Sequence, residues 1–174
     1  MRNLAEKWPA PPRWEAAVLR RGDLAAETLR GPSQLLVSGA LDAWNRASGM
    51  SGEGVGANDV ASGERYAVRV ARDRMLVVSQ RPLAVEAGWH DAGFAVTSMD
   101  AALHIFEISG AGVPGLLARA TTLDPGSGSP AASLLFAGVN VVLYHFDNAG
   151  KIRLHVDRGL APCLWEWLEH SLSL

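Results

Sequence analysis

LHIFEISGAGVPGLLARA, residues 103–120, joins a strand directly to a helix and decides the fold. Apolar and polar side chains alternate over Leu103–Ile108, which predicts a strand, and the Leu- and Ala-rich segment Ala111–Thr121 predicts a helix. The junction ISGA (108–111) has a counterpart in VSGA (37–40), which also ends a predicted strand and opens a predicted helix. The same strand–helix junction therefore occurs twice in the chain.

The likeness between the two halves continues past this junction. After each helix come a glycine-bearing loop and a two-stranded hairpin, of which the clearest turn is DNAG (147–150). An Arg-x-Leu-Ala block follows each hairpin, as RPLA (81–84) and RGLA (158–161), and each block leads toward a helix with tryptophan. This order is the split βαβ of ferredoxin-like folds. We therefore predict an α+β fold made of two ferredoxin-like βαββαβ-type units in tandem.

The domain organisation follows from the same repeat. Residues 1–13 are expected to form an extended N-terminal arm, because three prolines between positions 9 and 12 exclude a helix. Residues 14–174 are expected to form a single domain made of two repeats, about 14–92 and 93–174.

Several local expectations accompany this division. WEAAVL (14–19) is read as a first strand, and Arg81–Gly88 as a short helix with proline in its first turn. Ser38 and Ser109, which precede the two junction glycines, are expected to cap their helices. The single cysteine, Cys163, is expected to be a small, inert core residue.

Composition narrows the class of protein. Apolar residues make up 48% of the chain and charged residues 20%, values that are ordinary for a globular protein. The net charge of −2 gives no electrostatic reason to expect nucleic acid or an anionic membrane as partner. No run of apolar residues has the length of a signal peptide or a membrane span, so a cytoplasmic protein is expected.

Candidate catalytic groups form no recognisable constellation. The segment GEGVG (52–56) follows a helix and precedes a strand, the reverse of a dinucleotide-binding loop, so a mobile loop is expected there. No pair of histidines has zinc-site spacing, and strand histidines are expected to be partly solvated. The carboxylates near strand ends are expected to face solvent or serve turns rather than to act in acid–base catalysis. These carboxylates are Asp100, Glu107, Asp147 and Asp157.

The six tryptophans point to a partner. Trp44 and Trp165 have the helical spacing of core residues, whereas Trp167 lies about 200° around the helix from Trp165 and cannot face the same core. Trp8 lies among prolines in a polar arm with no local core. Because tryptophan is enriched at interface anchors, we expect Trp8, Trp14 and Trp167 to contribute to a partner interface.

The second half contains the strand into Ser109-Gly110, TLDP (122–125), FAGV (136–139) and LWEWL (164–168). In these segments the chain resembles a known family, the gamma subunits of sarcosine oxidase. The resemblance covers residues 94–172 well and residues 14–80 more loosely. The family is related to the folate-binding domain of glycine-cleavage aminomethyltransferase and to the N-terminal domain of a tRNA-modification GTPase.

The resemblance implies a non-catalytic accessory subunit of a sarcosine oxidase-type N-methyl amine oxidase linked to one-carbon metabolism. In that family flavins, NAD and tetrahydrofolate are held by the larger subunits, so this chain is expected to hold no cofactor and to pack against a larger alpha subunit. An alternative is a stand-alone or homodimeric tetrahydrofolate-binding protein, and a third is a small one-carbon transferase.

Overall fold

The structure is a computed structural model that describes residues 12–124 and 127–172. The elements found in these ranges are named in chain order. The strands are β1 (Val18–Arg21), β2 (Leu24–Leu29), β3 (Ser33–Gly39), β4 (Val60–Ala61), β5 (Arg65–Ala71), β6 (Arg74–Ser79), β7 (Gly88–His90), β8 (Phe94–Ser98), β9 (Leu103–Ser109), β10 (Ser133–Phe136), β11 (Val139–Phe146) and β12 (Asn148–Asp157). The helices are α1 (Leu41–Ser48), α2 (Val113–Ala120) and α3 (Ala161–Ser171). This is an α+β protein in which antiparallel strands predominate.

The strands form two sheets. The larger sheet has the order β1-β2-β9-β12-β11-β10, with β4 pairing in parallel beside β11. The smaller sheet has the order β5-β6-β3-β8-β7. All other pairings between the named strands are antiparallel. The short parallel pairing of β4 with β11 connects the first half of the chain to a strand of the second half.

The two sheets pack against each other, and the helices cover their outer faces. Helix α1 buries Trp44 against the outer face of the smaller sheet. Helices α2 and α3 bury Leu116 and Trp165 against the larger sheet. Between the sheets lies a third apolar cluster that includes Val68 of β5 and Phe146 of β11. Strand β6 is buried on both faces, as a strand in the middle of such a stack must be.

The repeated Ser-Gly-Ala junction has the same geometry in both sheets. Gly39 donates its N–H to the carbonyl of Asp73 in the β5–β6 turn, and Gly110 donates its N–H to the carbonyl of Gly150 near the start of β12, each at 2.9 Å. Both glycines have positive φ, 104° and 126°. A Cβ on Gly39 would overlap the backbone oxygen of Gly93, just before β8, and one on Gly110 would overlap that of Asp23, just before β2. The junction therefore has the same local geometry in both sheets, and β2 pairs with β9 in the larger sheet as β8 pairs with β3 in the smaller.

The sheets do not follow the two halves of the chain. β1 and β2, from the first half, pair with β9 of the larger sheet. The expected boundary near residue 92 falls between β7 and β8, which are hydrogen-bonded neighbours in the smaller sheet. Most of the expected arm, residues 1–11, lies outside the described residues, as does Trp8.

Four local expectations are wrong. The segment Arg81–Gly88 forms no helix; the chain leaves β6 in a loop and enters β7, whose tryptophan is exposed. The first strand begins at Val18, after a turn at 14–16. Neither α1 nor α2 has a side-chain cap, because their N-cap residues are Ala40 and Gly112 rather than the serines. Cys163 is exposed on α3, since the buried side of that helix is formed by Leu164, Trp165 and Leu168.

Among residues 12–124 and 127–172, none of the helices has the length and apolar character of a membrane-spanning segment.

Candidate functional site

Two of the three predicted interface tryptophans lie largely on the core. Trp14 is half-buried and packs edge-on against Trp165, with ring centroids 6.0 Å apart, and also against His104 and Phe106. Trp167 is half-buried with its ring edge-on to Phe136, at 5.5 Å between centroids. Trp44 and Trp165 are core residues, as predicted. Each of the two half-buried indoles therefore has a structural partner within the chain.

The most exposed tryptophan of the described residues is Trp89, for which the repeat had predicted a helix. Trp89 lies in β7 with 70% of its surface exposed, the highest value among the large apolar side chains of the described residues. Gly88 and Gly93, both with positive φ, bracket the short β7–β8 hairpin that presents it. Two glycines flanking WHDA were the available signal for a hairpin in place of a helix.

The glycine-rich segment is a packed loop that runs beside β5. Val55 donates its N–H to the carbonyl of Ala67 at 3.0 Å, and Arg69 donates to that of Val55 at 2.8 Å. Side chains on Gly54 and Gly56 would overlap the backbone of β5 and of Ser129. These glycines therefore allow close backbone packing, which explains their clustering without a phosphate ligand.

A chain of hydrogen bonds runs through the interface between the two sheets. It begins at Glu107 of β9, which accepts hydrogen bonds from Arg153 of β12. Arg153 also donates to the hydroxyl oxygen of Tyr66 of β5 at 2.7 Å. Tyr66 contacts Tyr144 of β11 at 2.8 Å. The next links are Tyr144 to His155 of β12 at 2.8 Å, His155 to Gln34 of β3 at 2.6 Å, and Gln34 to the carbonyl of Leu103. We call these six side chains, Glu107, Arg153, Tyr66, Tyr144, His155 and Gln34, the inter-sheet clamp.

The direction of every bond in the clamp follows from its two ends. Arg153 has donors only, so the Tyr66 oxygen accepts from it and its hydroxyl is left to donate to Tyr144. At the other end, the Gln34 Oε1 atom is an acceptor, so His155 carries its proton on Nδ1 and its Nε2 accepts from the Tyr144 hydroxyl. The two requirements agree, and each of these buried groups has a partner.

The electrostatics of the clamp favour structure over catalysis. Burial, assisted by the positive charge of Arg153, lowers the pKa of His155 from 6.5 to about 3, so the imidazole is neutral at pH 7. Burial also raises the pKa of Tyr144 well above its ordinary value. Arg153 keeps its charge, lies 3.2 Å from the centroid of the Phe146 ring and pairs with Glu107 at 2.8 Å. These groups fix the two sheets relative to each other.

The expectations for Glu107 and for two of the strand histidines, His104 and His155, were wrong, whereas the third strand histidine, His145, is only half-buried. Glu107 is half-buried and bridges Arg153 and Lys151 instead of facing solvent. His155 is 1% exposed and His104 8% exposed, so neither ring is solvated. Asp157 does serve a turn, since it accepts the N–H of Gly159 at 2.8 Å. Within residues 12–124 and 127–172, no group of three or more metal-binding side chains lies together.

The buried histidines make stability depend on pH. Burial and the charges of Arg158 and Arg30 lower the pKa of His104 to about 4. Below pH 6.5 the unfolded chain protonates His104 and His155 while the folded chain does not, so stability falls as the pH drops toward 4. We expect a slope of up to about 1.4 kcal/mol per pH unit for each histidine. Urea unfolding between pH 7 and 4.5 should show a flatter profile for His155→Gln and flatter still for the double variant with His104→Gln. Equal slopes in all three proteins would contradict this assignment.

A cleft of about 300 Å³ opens at the end of the larger sheet, where the chain crosses from β2 to β3. Its walls combine two arginines and a carboxylate with aromatic and hydroxyl groups. They include Trp14, Thr28, Arg30, Asp100, His104 and Arg158. Gln34 of the clamp also lines the cleft.

Comparisons with known proteins identify the fold. No protein-family model matches the chain, and no curated protein matches its sequence. The fold defined above, two packed antiparallel sheets with outer helices, is similar to that of a chain in a solved structure. That structure is the heterotetrameric sarcosine oxidase from Corynebacterium sp. U-96 in complex with pyrrole 2-carboxylate. The TM-score is 0.65 at 16% sequence identity, over 98% of this chain and 91% of the other. This chain thus has the fold of a sarcosine oxidase subunit.

Proposed function

We propose that this chain is a non-catalytic accessory subunit, like a gamma subunit, of a heteromeric sarcosine oxidase-type N-methyl amine oxidase. The observation that carries the proposal is the likeness of fold over 98% of this chain and 91% of a chain from a heterotetrameric sarcosine oxidase. Because nearly all of both chains is matched, the two are similar in extent as well as in topology. The heterotetramer also supports a role in a complex, with a larger alpha-type subunit as the partner.

The clamp supports the accessory role. Its histidine and tyrosines are the groups that would otherwise be candidates for acid–base chemistry, and their polar atoms are engaged with one another. They hold two sheets rigidly, which suits a protein that presents a fixed surface to a partner. Flavins, NAD and tetrahydrofolate are assigned to the partner subunits in this proposal.

The purified chain provides the first test. It should be colourless, show no flavin absorbance and fail to oxidise sarcosine with or without tetrahydrofolate. Stoichiometric flavin, or turnover of sarcosine by the chain alone, would overturn the proposal. Saturable tetrahydrofolate binding without turnover would favour the alternative, a folate-binding protein.

We propose Trp89 as an anchor of the partner interface. Trp89 has 70% of its surface exposed, so its indole has apolar area that a partner can bury. Its removal should cost the folded protein little stability. The roles of Trp8, Trp14 and Trp167 at this interface stay predictions. For Trp167, the contact with Phe136 makes folding the larger expected effect of truncation.

Trp89→Ala and Trp167→Ala form a matched pair. Trp89→Ala should weaken binding to the partner subunit by about 2 kcal/mol, as truncation of an interface tryptophan does, while the free energy of unfolding changes by about 0.5 kcal/mol or less. Trp167→Ala should lower the free energy of unfolding by more, because it leaves a gap beside Phe136. Calorimetric binding and urea unfolding measure the two effects. Wild-type affinity in Trp89→Ala would remove it from the interface.

We also propose that the two sheets represent two ferredoxin-like units. Numbered within each unit, the strand order is second–third–first–fourth, as β5-β6-β3-β8 in the smaller sheet and β11-β12-β9-β2 in the larger. The fourth strand of the second unit precedes the first unit in sequence, so that unit is discontinuous. If the units are equivalent, alanine at Gly39 and at Gly110 should both be costly; tolerance at one of them would argue against equivalence.

A further inference from the structure

The cleft at the β2–β3 crossing brings positive charge to an apolar wall. Arg158 donates from Nη2 to the carbonyl of Asp100 at 2.8 Å. Arg30 donates from Nη2 to Glu15 at 2.8 Å, in an exposed pair. A guanidinium has five N–H donors, so each arginine keeps donors for another acceptor. Asp100 is held in place because it accepts from the N–H of Gln34 at 2.5 Å.

The charge of both arginines reaches the floor of the cleft. Burial is the largest cause that lowers the pKa of His104 to about 4, and the positive charges of Arg158 and Arg30 are the next two causes. The imidazole is therefore neutral at pH 7 and offers one N–H donor. The charges of the two arginines at His104 favour an anion beside the neutral ring, while the Asp100 carboxylate on the same wall and the Glu15 carboxylate paired with Arg30 oppose part of that field.

Two buried polar atoms on the walls have no hydrogen-bond partner. They are the Thr28 Oγ1 atom on β2 and the His104 Nε2 atom on the neighbouring strand β9. His104 is 8% exposed. Buried polar atoms are nearly always paired, because an unpaired one loses the bonds that it made to water. Thr28 and His104 both line the cleft, and each of the two buried atoms can carry a hydrogen that donates to an oxygen.

Trp14 covers this part of the cleft. Its ring centroid lies 4.5 Å from that of His104, at an interplanar angle of 51°. Trp14 is half-buried and is the first residue of the turn at 14–16 before β1. A shift of the indole is the movement that would open the orphaned atoms to a ligand.

We propose that this cleft binds a small organic carboxylate, held by the guanidinium forks of Arg158 and Arg30 and covered by Trp14. When the indole of Trp14 moves aside, the His104 Nε2–H and the Thr28 hydroxyl also donate hydrogen bonds to the bound carboxylate. Planar guanidinium groups match the planar carboxylate. The apolar walls from Trp14 and Leu103 accept an organic body, and a volume of about 300 Å³ limits the ligand to a small molecule. This site is independent of the accessory role.

Titration of the full chain with acetate, propanoate and benzoate tests the proposal, with chloride at matched ionic strength as the reference. Saturable binding should change the tryptophan fluorescence, and NMR titration should show a higher pKa for His104 in the complex, because a bound anion favours the imidazolium. Trp14→Phe should remove the fluorescence change while the His104 signal still responds. Arg158→Gln should weaken binding at least tenfold, whereas Arg119→Gln, which alters an exposed arginine on α2 outside the cleft, should not.

Arg30→Gln keeps the test decisive if Arg158→Gln fails to fold, because 56% of the Arg30 side chain is exposed and its removal leaves no gap in the core. It should weaken carboxylate binding severalfold. The proposal is overturned if no carboxylate saturates the protein at millimolar concentration, or if both arginine variants bind as the wild type does. Equal binding of chloride or inorganic phosphate would also overturn it, since that result would describe a general anion site.

Discussion

Gly110→Ala is expected to be strongly destabilising. The residue has a φ of 126°, and a Cβ there would overlap the backbone of Asp23 and Leu24 in the β1–β2 hairpin. Backbone cannot rotate away as a side chain can, so the hairpin must move off β9. We expect a loss of about 4 kcal/mol or more in the free energy of unfolding, measured by urea denaturation.

Gly138→Ala is the matched control. Gly138 also has a positive φ, 78°, but a Cβ there meets no atom within 4 Å. It should cost only the conformational strain of about 1–2 kcal/mol. Similar losses for the two variants would mean that the close approach of Gly110 to Asp23 does not exist in solution.

Arg153→Met is expected to break the inter-sheet clamp. Arg153 is 5% exposed and bonds both Glu107 and Tyr66. The methionine fills part of the volume, but the Glu107 carboxylate loses its closest cation and the Tyr66 oxygen its donor. Removing one partner of a buried ion pair costs about 3–5 kcal/mol. Thermal and urea unfolding measure the loss.

Two further variants separate charge from volume. Arg119→Met makes the same change at an exposed position on α2 and should alter stability by about 0.5 kcal/mol or less. Adding Glu107→Leu to Arg153→Met removes the stranded carboxylate and should restore part of the stability. If Arg153→Met is as stable as the wild type, the clamp does not hold the sheets together.

The repeated strand–helix junction was predictable because it depends on local backbone geometry. Positive φ and the close approach of a neighbouring backbone segment require glycine at positions 39 and 110. Both halves therefore have glycine at this junction. The three helices and most strands followed from the period of the apolar residues. The sequence analysis predicted neither the strand β2 over LAAETL (24–29) nor its pairing with β9.

The errors have a common physical origin in tertiary packing. RPLA (81–84) resembles RGLA (158–161) in sequence, but only the second block leads into a helix, α3. This helix is stabilised because it buries Leu164 and Trp165 against the larger sheet. The first block has no such apolar continuation and stays a loop. Local likeness alone could not distinguish the two.

The clamp was not predictable from the sequence. His155 and Gln34 are 121 positions apart, and their contact depends on the packing of one sheet against the other. A signal was present in KIRLHV (151–156), where Arg153 and His155 alternate with apolar residues. That alternation is typical of a strand with a solvated face, whereas here the polar face is buried against a second sheet.

Isolation of the native complex is the sharpest test of the proposed accessory role. A tagged form of this chain, purified from its own cells under mild conditions, should carry larger subunits in fixed stoichiometry. The measurement is flavin absorbance and sarcosine-dependent oxygen consumption per mole of tagged chain. We expect both in the purified assembly and neither after the tagged chain is separated from its partners. A tagged chain that elutes alone or as a homo-oligomer, without flavin, would contradict it.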